Sequence, residues 1–312
     1  MSRLLMISLA AACFLAACGQ VITITMPGAA GAGSRGQAID PTIPDGYERL
    51  LSPAPHAFRF SGPGEPVRMG AVSERFELRD GDCGGADCNN TRYRSEIRQL
   101  PEAMTARLGQ DSWYGWSFYN QNIGAVTRDR SLGTVIGQWK LGGDQPPIFR
   151  LLQTPAGEGN WVNCDPTICN RFGAAGDDVV IDLEDMGKTM GWGAAQNSGN
   201  VCRLFNMQAA QGKWIDIVVN TNFSTNTDGY LRVWVNGEMK CNYYGRLVAS
   251  KGAGKTPGHR RGIYNSYTKT WDAKQGGPKP TMIVYYDEFL IGSSRAEVDT
   301  RMRQAASARP KD

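Results

Sequence analysis

The sequence predicts an all-β chain folded as a closed or double-layered antiparallel structure. Three observations carry that expectation. Short segments of alternating apolar and polar residues recur along most of the chain, and few stretches hold a helical period. Tyr230-Leu231-Arg232-Val233-Trp234-Val235 runs into Asn236-Gly237 and returns through Glu238–Tyr244, the strongest short-range hairpin signal because both turn residues tolerate positive φ. Gly is abundant (38 residues), and 41% hydrophobic against 21% charged residues supports a sizeable core.

Taken in order, the chain opens on a targeting segment. Arg3 provides the positive start, Leu4 to Leu15 the apolar stretch, and Leu15-Ala16-Ala17-Cys18 resembles a bacterial lipobox. That resemblance implies a signal peptide over residues 1–17, acylation of Cys18 and, with Gly19 following, an exported lipoprotein of the outer membrane. An ordinary secretory signal peptide is the alternative. Residues 18–42, small and rich in Gly and Ala, read as a tether. A single domain is expected over residues 43–294, with residues 295–312 as a polar tail that is either a short helix or without structure.

Within the domain, strands are expected at His56–Phe60, Ser73–Arg79, Tyr93–Leu100, Ser112–Asn120, Thr134–Leu141, Pro146–Leu152 and Asp178–Leu183. Trp214–Asn220, the two hairpin arms, an extended segment around Gly262-Ile263-Tyr264 and the late apolar run Thr281–Leu290 complete the set. No fixed repeat and no break in composition divides them, and double-layered antiparallel β accommodates such a series.

Beyond Cys13 and Cys18, the remaining cysteines are Cys83, Cys88, Cys164, Cys169, Cys202 and Cys241. In an exported protein this even number reads as disulfides, with Cys83–Cys88 and Cys164–Cys169 as local staples and Cys202–Cys241 as a longer link. Zinc binding by the spaced pairs is the alternative, and spacing alone does not fix the connectivity. The formal net charge of +4 falls by one when Arg3 is cleaved away, a mild bias toward acidic partners and no nucleic-acid signature. The chain is expected to be a monomer.

Several enzyme classes lack the residues they need. With only His56 and His259 there is little material for zinc-protease or Ser/His/Asp motifs, and no phosphate-binding loop or dinucleotide fingerprint occurs. Asp182-Leu183-Glu184-Asp185 lacks the carboxylate spacing of a jelly-roll glucanase. What stands out is Arg94-Ser95-Glu96-Ile97-Arg98. As a strand it sets Arg94, Glu96 and Arg98 on one face, either as a solvated surface with cross-strand ion pairs or as the wall of a cleft. Gln138 and Lys140 share a face of another strand, and Arg260, Gly262 and Tyr264 share a face of a third. Arginines, an amide, an amine and a phenol suit β-elimination on a uronic acid. Its C5 proton becomes labile once the carboxylate is neutralised, and a phenol can take or return a proton.

Val67-Arg68-Met69-Gly70 with Ser73–Arg79, then Arg94-Ser95-Glu96, Trp113–Phe118, Ile136-Gly137-Gln138-Trp139, Asp228–Gly237, Gly262-Ile263-Tyr264 and Val284-Tyr285-Tyr286-Asp287-Glu288 follow one another as in a known family. In this order, over roughly residues 65–292, the chain resembles the heparin lyase I and glucuronan lyase family and, more distantly, the alginate lyases. The resemblance implies a concanavalin A-like β-jelly roll whose concave sheet forms a cleft for an anionic polysaccharide. It also implies Tyr264 as the catalytic tyrosine, Gln138 as the carboxylate-neutralising amide and Arg94 as a subsite arginine. Glu96, Arg98, Arg260 and His259 are further candidates for the substrate face. These lyases carry His two residues after the Gln, where this chain has Lys140. Lys140 then either serves as base with a lowered pKa, or neutralises the carboxylate while Tyr264 is both base and acid, or yields to His259. The third route needs a bulge near Gly262, because His259 otherwise faces the opposite side from Tyr264. No cofactor is needed for this chemistry; Asp287 and Glu288 are candidates for a structural Ca²⁺ site. A non-catalytic acidic-glycan-binding lipoprotein on the same fold is the alternative reading.

Overall fold

The computed structural model describes residues 43–51, 53–126, 132–142, 146–155, 177–183, 199–249, 255–266 and 268–308. The expected signal peptide, the tether, Cys18 and the Cys164–Cys169 staple lie outside the described residues.

The strands are β1 (Tyr47–Arg49), β2 (Phe58–Phe60), β3 (Glu74–Leu78), β4 (Tyr93–Gln99), β5 (Ser112–Asn120), β6 (Thr134–Lys140) and β7 (Pro147–Thr154). They continue as β8 (Asp178–Leu183), β9 (Gly199–Asn206), β10 (Trp214–Thr221), β11 (Tyr230–Val235), β12 (Glu238–Tyr244), β13 (Gly258–Asn265) and β14 (Met282–Gly292). Short helices are α1 (Ala86–Asn89), α2 (Thr268–Lys274), α3 (Arg295–Val298) and α4 (Thr300–Ser307). Two antiparallel seven-stranded sheets form a sandwich, ordered β1-β4-β13-β6-β7-β8-β9 and β12-β11-β10-β5-β14-β3-β2. The long jumps in strand order make this the jelly-roll topology that the strand pattern foreshadows.

Alternation decides what lies between the sheets. Ile97, Trp139, Ile263, Val179 and Ile181 point inward from the first sheet. Tyr114, Trp116, Phe118, Ile217, Val233, Val284 and Tyr286 meet them from the second. Asn236 and Gly237 adopt φ of 51° and 86°, the left-handed pair a two-residue hairpin turn demands. Cys83–Cys88 closes a local loop, and Cys202–Cys241 ties β9 of one sheet to β12 of the other. Closing the latter's 39-residue separation stabilises the fold by about 4 kcal/mol in the chain-entropy account.

The strand β13 has two characters. Its core side carries His259, Ile263 and Arg261, and Arg261 crosses the sandwich to pair with Glu74 of β3 while lying over the rings of Tyr47 and Phe289. Gly262, at φ 129°, marks a bulge against β6, and a Cβ there would meet the Ser95 carbonyl oxygen at 2.1 Å. The Tyr286 hydroxyl, reaching from the second sheet, donates toward the carbonyls of Gly262 and Ile136 at that point. The pairing of β13 with β4 runs through without a slip, so the bulge does not turn His259 outward.

That corrects one expectation. His259 is not on the substrate face; it is 1% exposed, stacked on Phe289 at 4.4 Å between ring centroids and set beside Trp139 and Trp116. Both ring nitrogens lack hydrogen-bond partners. At the C-terminus the helical option of the expectation holds for residues 295–307, and these helices pack on the domain: Val298 is fully buried against Val218 and Trp234, and Arg303 pairs with Glu288. Strands β1 and β9 and helix α2 were not expected from the alternation. In β9 the period is broken by two register slips against β8.

Burial, aided by the nearby Arg261 charge, pushes the His259 pKa well below its ordinary value. A His protonated more readily when unfolded withdraws stability as pH falls below its unfolded pKa of about 6.5. The melting temperature should therefore drop between pH 7 and pH 5, and His259→Phe should flatten that drop. Equal slopes in the two proteins by calorimetry would contradict this assignment.

Candidate active site

The outer face of the first sheet, away from the core, carries the polar side chains. Register aligns Glu48, Arg98, Arg260, Gln138, Arg150 and Asp182 in one row across β1, β4, β13, β6, β7 and β8. The ends of this row neutralise themselves, with Arg98 on Glu48 at 2.5 Å and Arg150 on Asp182 at 2.7 Å. The centre leaves Arg260 beside Gln138. Half-buried, Arg260 has no hydrogen bond or ion pair of its own among the described residues. Burial lowers its pKa, while attraction to Glu96 opposes that and the Arg94 and Arg98 charges add to it.

One step along the same face, Tyr264 of β13 lies opposite Arg94 of β4, and the Arg94 guanidinium sits 3.9 Å from the centroid of the Tyr264 ring. Arg94 and Glu96 are not a solvated surface: they are 6% and 2% exposed. Arg94 donates to both oxygens of Asp87, at 2.5 and 3.1 Å, and through its remaining terminal nitrogen to Glu96. Glu96 also accepts from the Gln138 amide at 2.7 Å. Burial opposes the Arg94 charge, but Glu96 and Asp87 outweigh it and hold the guanidinium firmly protonated. Arg94, placed by the sequence as a direct subsite contact, thus has all three nitrogens engaged by the protein's own carboxylates.

Tyr264 is buried nearly as deeply as Arg94, at 8% exposed, whereas Arg260 and Lys140 are half-buried, Lys140 on the same face as Gln138 through its pairing with Gly258. Burial raises the Tyr264 pKa, and the Arg94 and Arg92 charges partly counter that. At neutral pH the phenol is therefore protonated in the resting site. Of the residues singled out from the sequence, Arg94, Glu96, Gln138, Arg260, Tyr264, Arg98 and Lys140 share this face, and His259 does not.

Glu48, Asp87 and Arg150 of the site were missed. Asp87 lies inside the Cys83–Cys88 loop, where nothing in its spacing ties it to Arg94. Arg150 is the one charge within the apolar run of β7, and that isolation was the available signal. The Ca²⁺ candidate does not fit a cation. Asp287 accepts from the backbone N–H groups of Arg68, Met69 and Glu288, Glu288 is paired with Arg303, and no cluster of three or more potential metal ligands occurs among the described residues.

The fold is a two-sheet jelly roll that sets a phenol, an amide and cations on one sheet face. Residues 58–290 match the family model described as Polysaccharide lyase, and the chain belongs to that family. It is a polysaccharide lyase. Among solved structures, an endo-β-1,4-glucuronan lyase from the fungus Trichoderma reesei is similar at 16% identity and a TM-score of 0.50, covering 81% of this chain and 92% of that one. An alginate lyase from Klebsiella pneumoniae is similar at 13% identity and a TM-score of 0.45, covering 76% and 84%. A search of the curated proteins gives no match.

Glu96 joins Arg94 to Gln138, so removing it takes one of two carboxylates from a buried guanidinium and the acceptor from a buried amide. Glu96→Ala should destabilise the fold by about 3 kcal/mol or more, read by denaturant unfolding. A change below about 1 kcal/mol would mean that the enclosed ion pairs are not a structural unit.

Proposed function

We propose that this lyase cleaves a uronate-containing anionic polysaccharide by β-elimination, closest in chemistry to the glucuronan and heparin lyase I side of its family. The observation that carries the reading is the register of β13 between β4 and β6. It gathers Tyr264, Arg260, Gln138 and Lys140 on one face, and among the described residues the Arg260 guanidinium at the centre of the row makes no ion pair, while both ends are paired.

In this reading the uronate carboxylate lies against Arg260, with Lys140 and Gln138 completing its neutralisation. Charge and hydrogen bonds to the carboxylate stabilise the enolate that forms as the C5 proton leaves. Tyr264 transfers the proton: the C5–H electron pair becomes the C4=C5 double bond, the C4–O bond breaks, and the departing oxygen receives a proton from the same phenol. A syn geometry allows one residue to do both. The resting phenol is protonated, so its proton must first pass to solvent water before the phenolate takes the C5 proton, and the flanking Arg94 and Arg92 charges favour that phenolate. Arg94, enclosed by Asp87 and Glu96, serves Tyr264 rather than the sugar. The same reading has the domain held at the outer membrane through acylated Cys18, as a monomer and without a required cofactor.

A non-catalytic acidic-glycan-binding role has one observation in its favour, the Lys140 that stands where the family resemblance places His. The two are separated by offering glucuronan, alginate and heparin-type glycans and following the ultraviolet absorbance of the unsaturated uronate. Turnover is expected from the wild type, with kcat falling at least about 10²-fold in Tyr264→Phe, and kcat/KM falling comparably in Arg260→Ala. Binding without any chromophore, indifferent to Tyr264→Phe, would select the glycan-binding role and sink the lyase chemistry.

A further inference from the structure

The residue that completes the Arg94 clamp comes from outside the sheet. Asp87 is 2% exposed, on the one-turn helix α1 within the loop that Cys83–Cys88 closes. Its backbone is fixed on both sides: its N–H donates to the Gly84 carbonyl at 3.1 Å, and its carbonyl accepts from Asn90 and Arg92 at 3.1 and 3.0 Å. The start of the loop is tied to the strand it serves, because the Arg94 N–H donates to the Asp82 carbonyl at 2.9 Å. Gly84 is held so close to the chain that a Cβ would sit 2.7 Å from the Leu51 carbonyl oxygen. A disulfide, a close-packed glycine and three backbone hydrogen bonds thus deliver one carboxylate into a site with little access to water. Among the described residues its carboxylate hydrogen-bonds to Arg94, through both oxygens.

We propose that Asp87 is a positioning residue for the elimination, pinning the Arg94 guanidinium against the Tyr264 ring and fixing the charge under which Tyr264 exchanges its proton. This rests on the reading above, in which Tyr264 handles the proton. The fork of Arg94 is divided so that Asp87 takes the inner edge and Glu96 the other terminal nitrogen, which leaves the guanidinium its face for the ring. Asp87 holds it through two nitrogens and Glu96 through one.

The charged groups that act on Tyr264 are Arg94 and Arg92, which favour the phenolate, Asp87 and Glu96, which disfavour it, and Arg260 on the same strand. Removing the Asp87 charge tips that balance toward the phenolate, so the Tyr264 titration must move to lower pH. The direction is the same whether Tyr264 limits the reaction as acid or as base. One charge lost at this range through an effective dielectric near 20 shifts the midpoint by about one pH unit.

The test uses the full chain with isotopically labelled tyrosine, the Tyr264 resonance being assigned by its loss in Tyr264→Phe. Asp87→Asn keeps the shape and removes the charge; its Tyr264 midpoint is expected about one pH unit lower. On a turned-over polyuronate, kcat is expected to fall about tenfold with KM within twofold, and the pH–kcat limb to shift with the midpoint. Asp87→Glu, which restores the charge, should return the midpoint toward wild type while kcat stays reduced. Cys83→Ser with Cys88→Ser frees the loop without altering any charge and keeps the question open to measurement if Asp87→Asn does not fold; its midpoint should move from the wild-type value as Asp87 and the guanidinium it pins lose their fixed places. An unchanged Tyr264 midpoint in Asp87→Asn, or in the double Cys variant where Asp87→Asn does not fold, overturns the proposal. The midpoint is read without substrate. A wild type inert to every polyuronate would therefore defeat the functional reading alone, and the titration would still decide whether Asp87 acts on Tyr264.

Discussion

A guanidinium enclosed by protein is tolerable only when carboxylates replace the water it has lost. Arg94 meets that condition twice, through Asp87 from a disulfide-closed loop and Glu96 from its own strand. Much of the site follows from this. Glu96 is drawn to Arg94 and to the Gln138 amide, so β4 and β6 are joined across the intervening β13. Tyr264 on β13 lies under the same guanidinium. The group that first suggests itself as a ligand for the substrate is thereby committed to the protein, and the task of meeting an anion passes to Arg260, whose own charge has no partner among the described residues.

The strand β13 allows these roles to coexist because it separates them by face. His259, Arg261 and Ile263 turn inward, where Arg261 finds Glu74 on the opposite sheet and His259 is held neutral among aromatic rings. Arg260 and Tyr264 turn outward. Gly262 lies between them at the bulge, where its missing Cβ lets the Ser95 carbonyl and the Phe76 ring close on the backbone and the Tyr286 hydroxyl donates to its carbonyl. The outward pair is thus held by contacts made on the other side of the sheet, and the core fixes the register of the chemistry.

Much of this could be read before the fold was known. Period-2 alternation sufficed to put Arg94 with Glu96, Gln138 with Lys140 and Arg260 with Tyr264, because the face a residue takes in a strand is a local property. It also put His259 on the far side from Tyr264, and the pairing of β13 with β4 keeps it there. Alternation does not say whether an outward face is wet. Arg94 and Glu96 read as readily as solvated surface as they do as cleft wall, and burial decided against solvent. Arg98, two residues on, keeps the cross-strand partner that a surface strand would have, in Glu48.

The sequence by itself determined the elements and their sidedness: the strands, the Asn236-Gly237 turn, and the local Cys83–Cys88 closure, all set by interactions among near neighbours in the chain. Only the tertiary structure decided which strands are neighbours. That order brings Arg260 beside Gln138 across more than a hundred residues and folds the helices after residue 294 onto the second sheet. It also carries Asp87 to Arg94, a pairing made by a loop turning back over the sheet face. Strand order depends on how apolar faces are buried together over the whole chain, and no local pattern of charges records it.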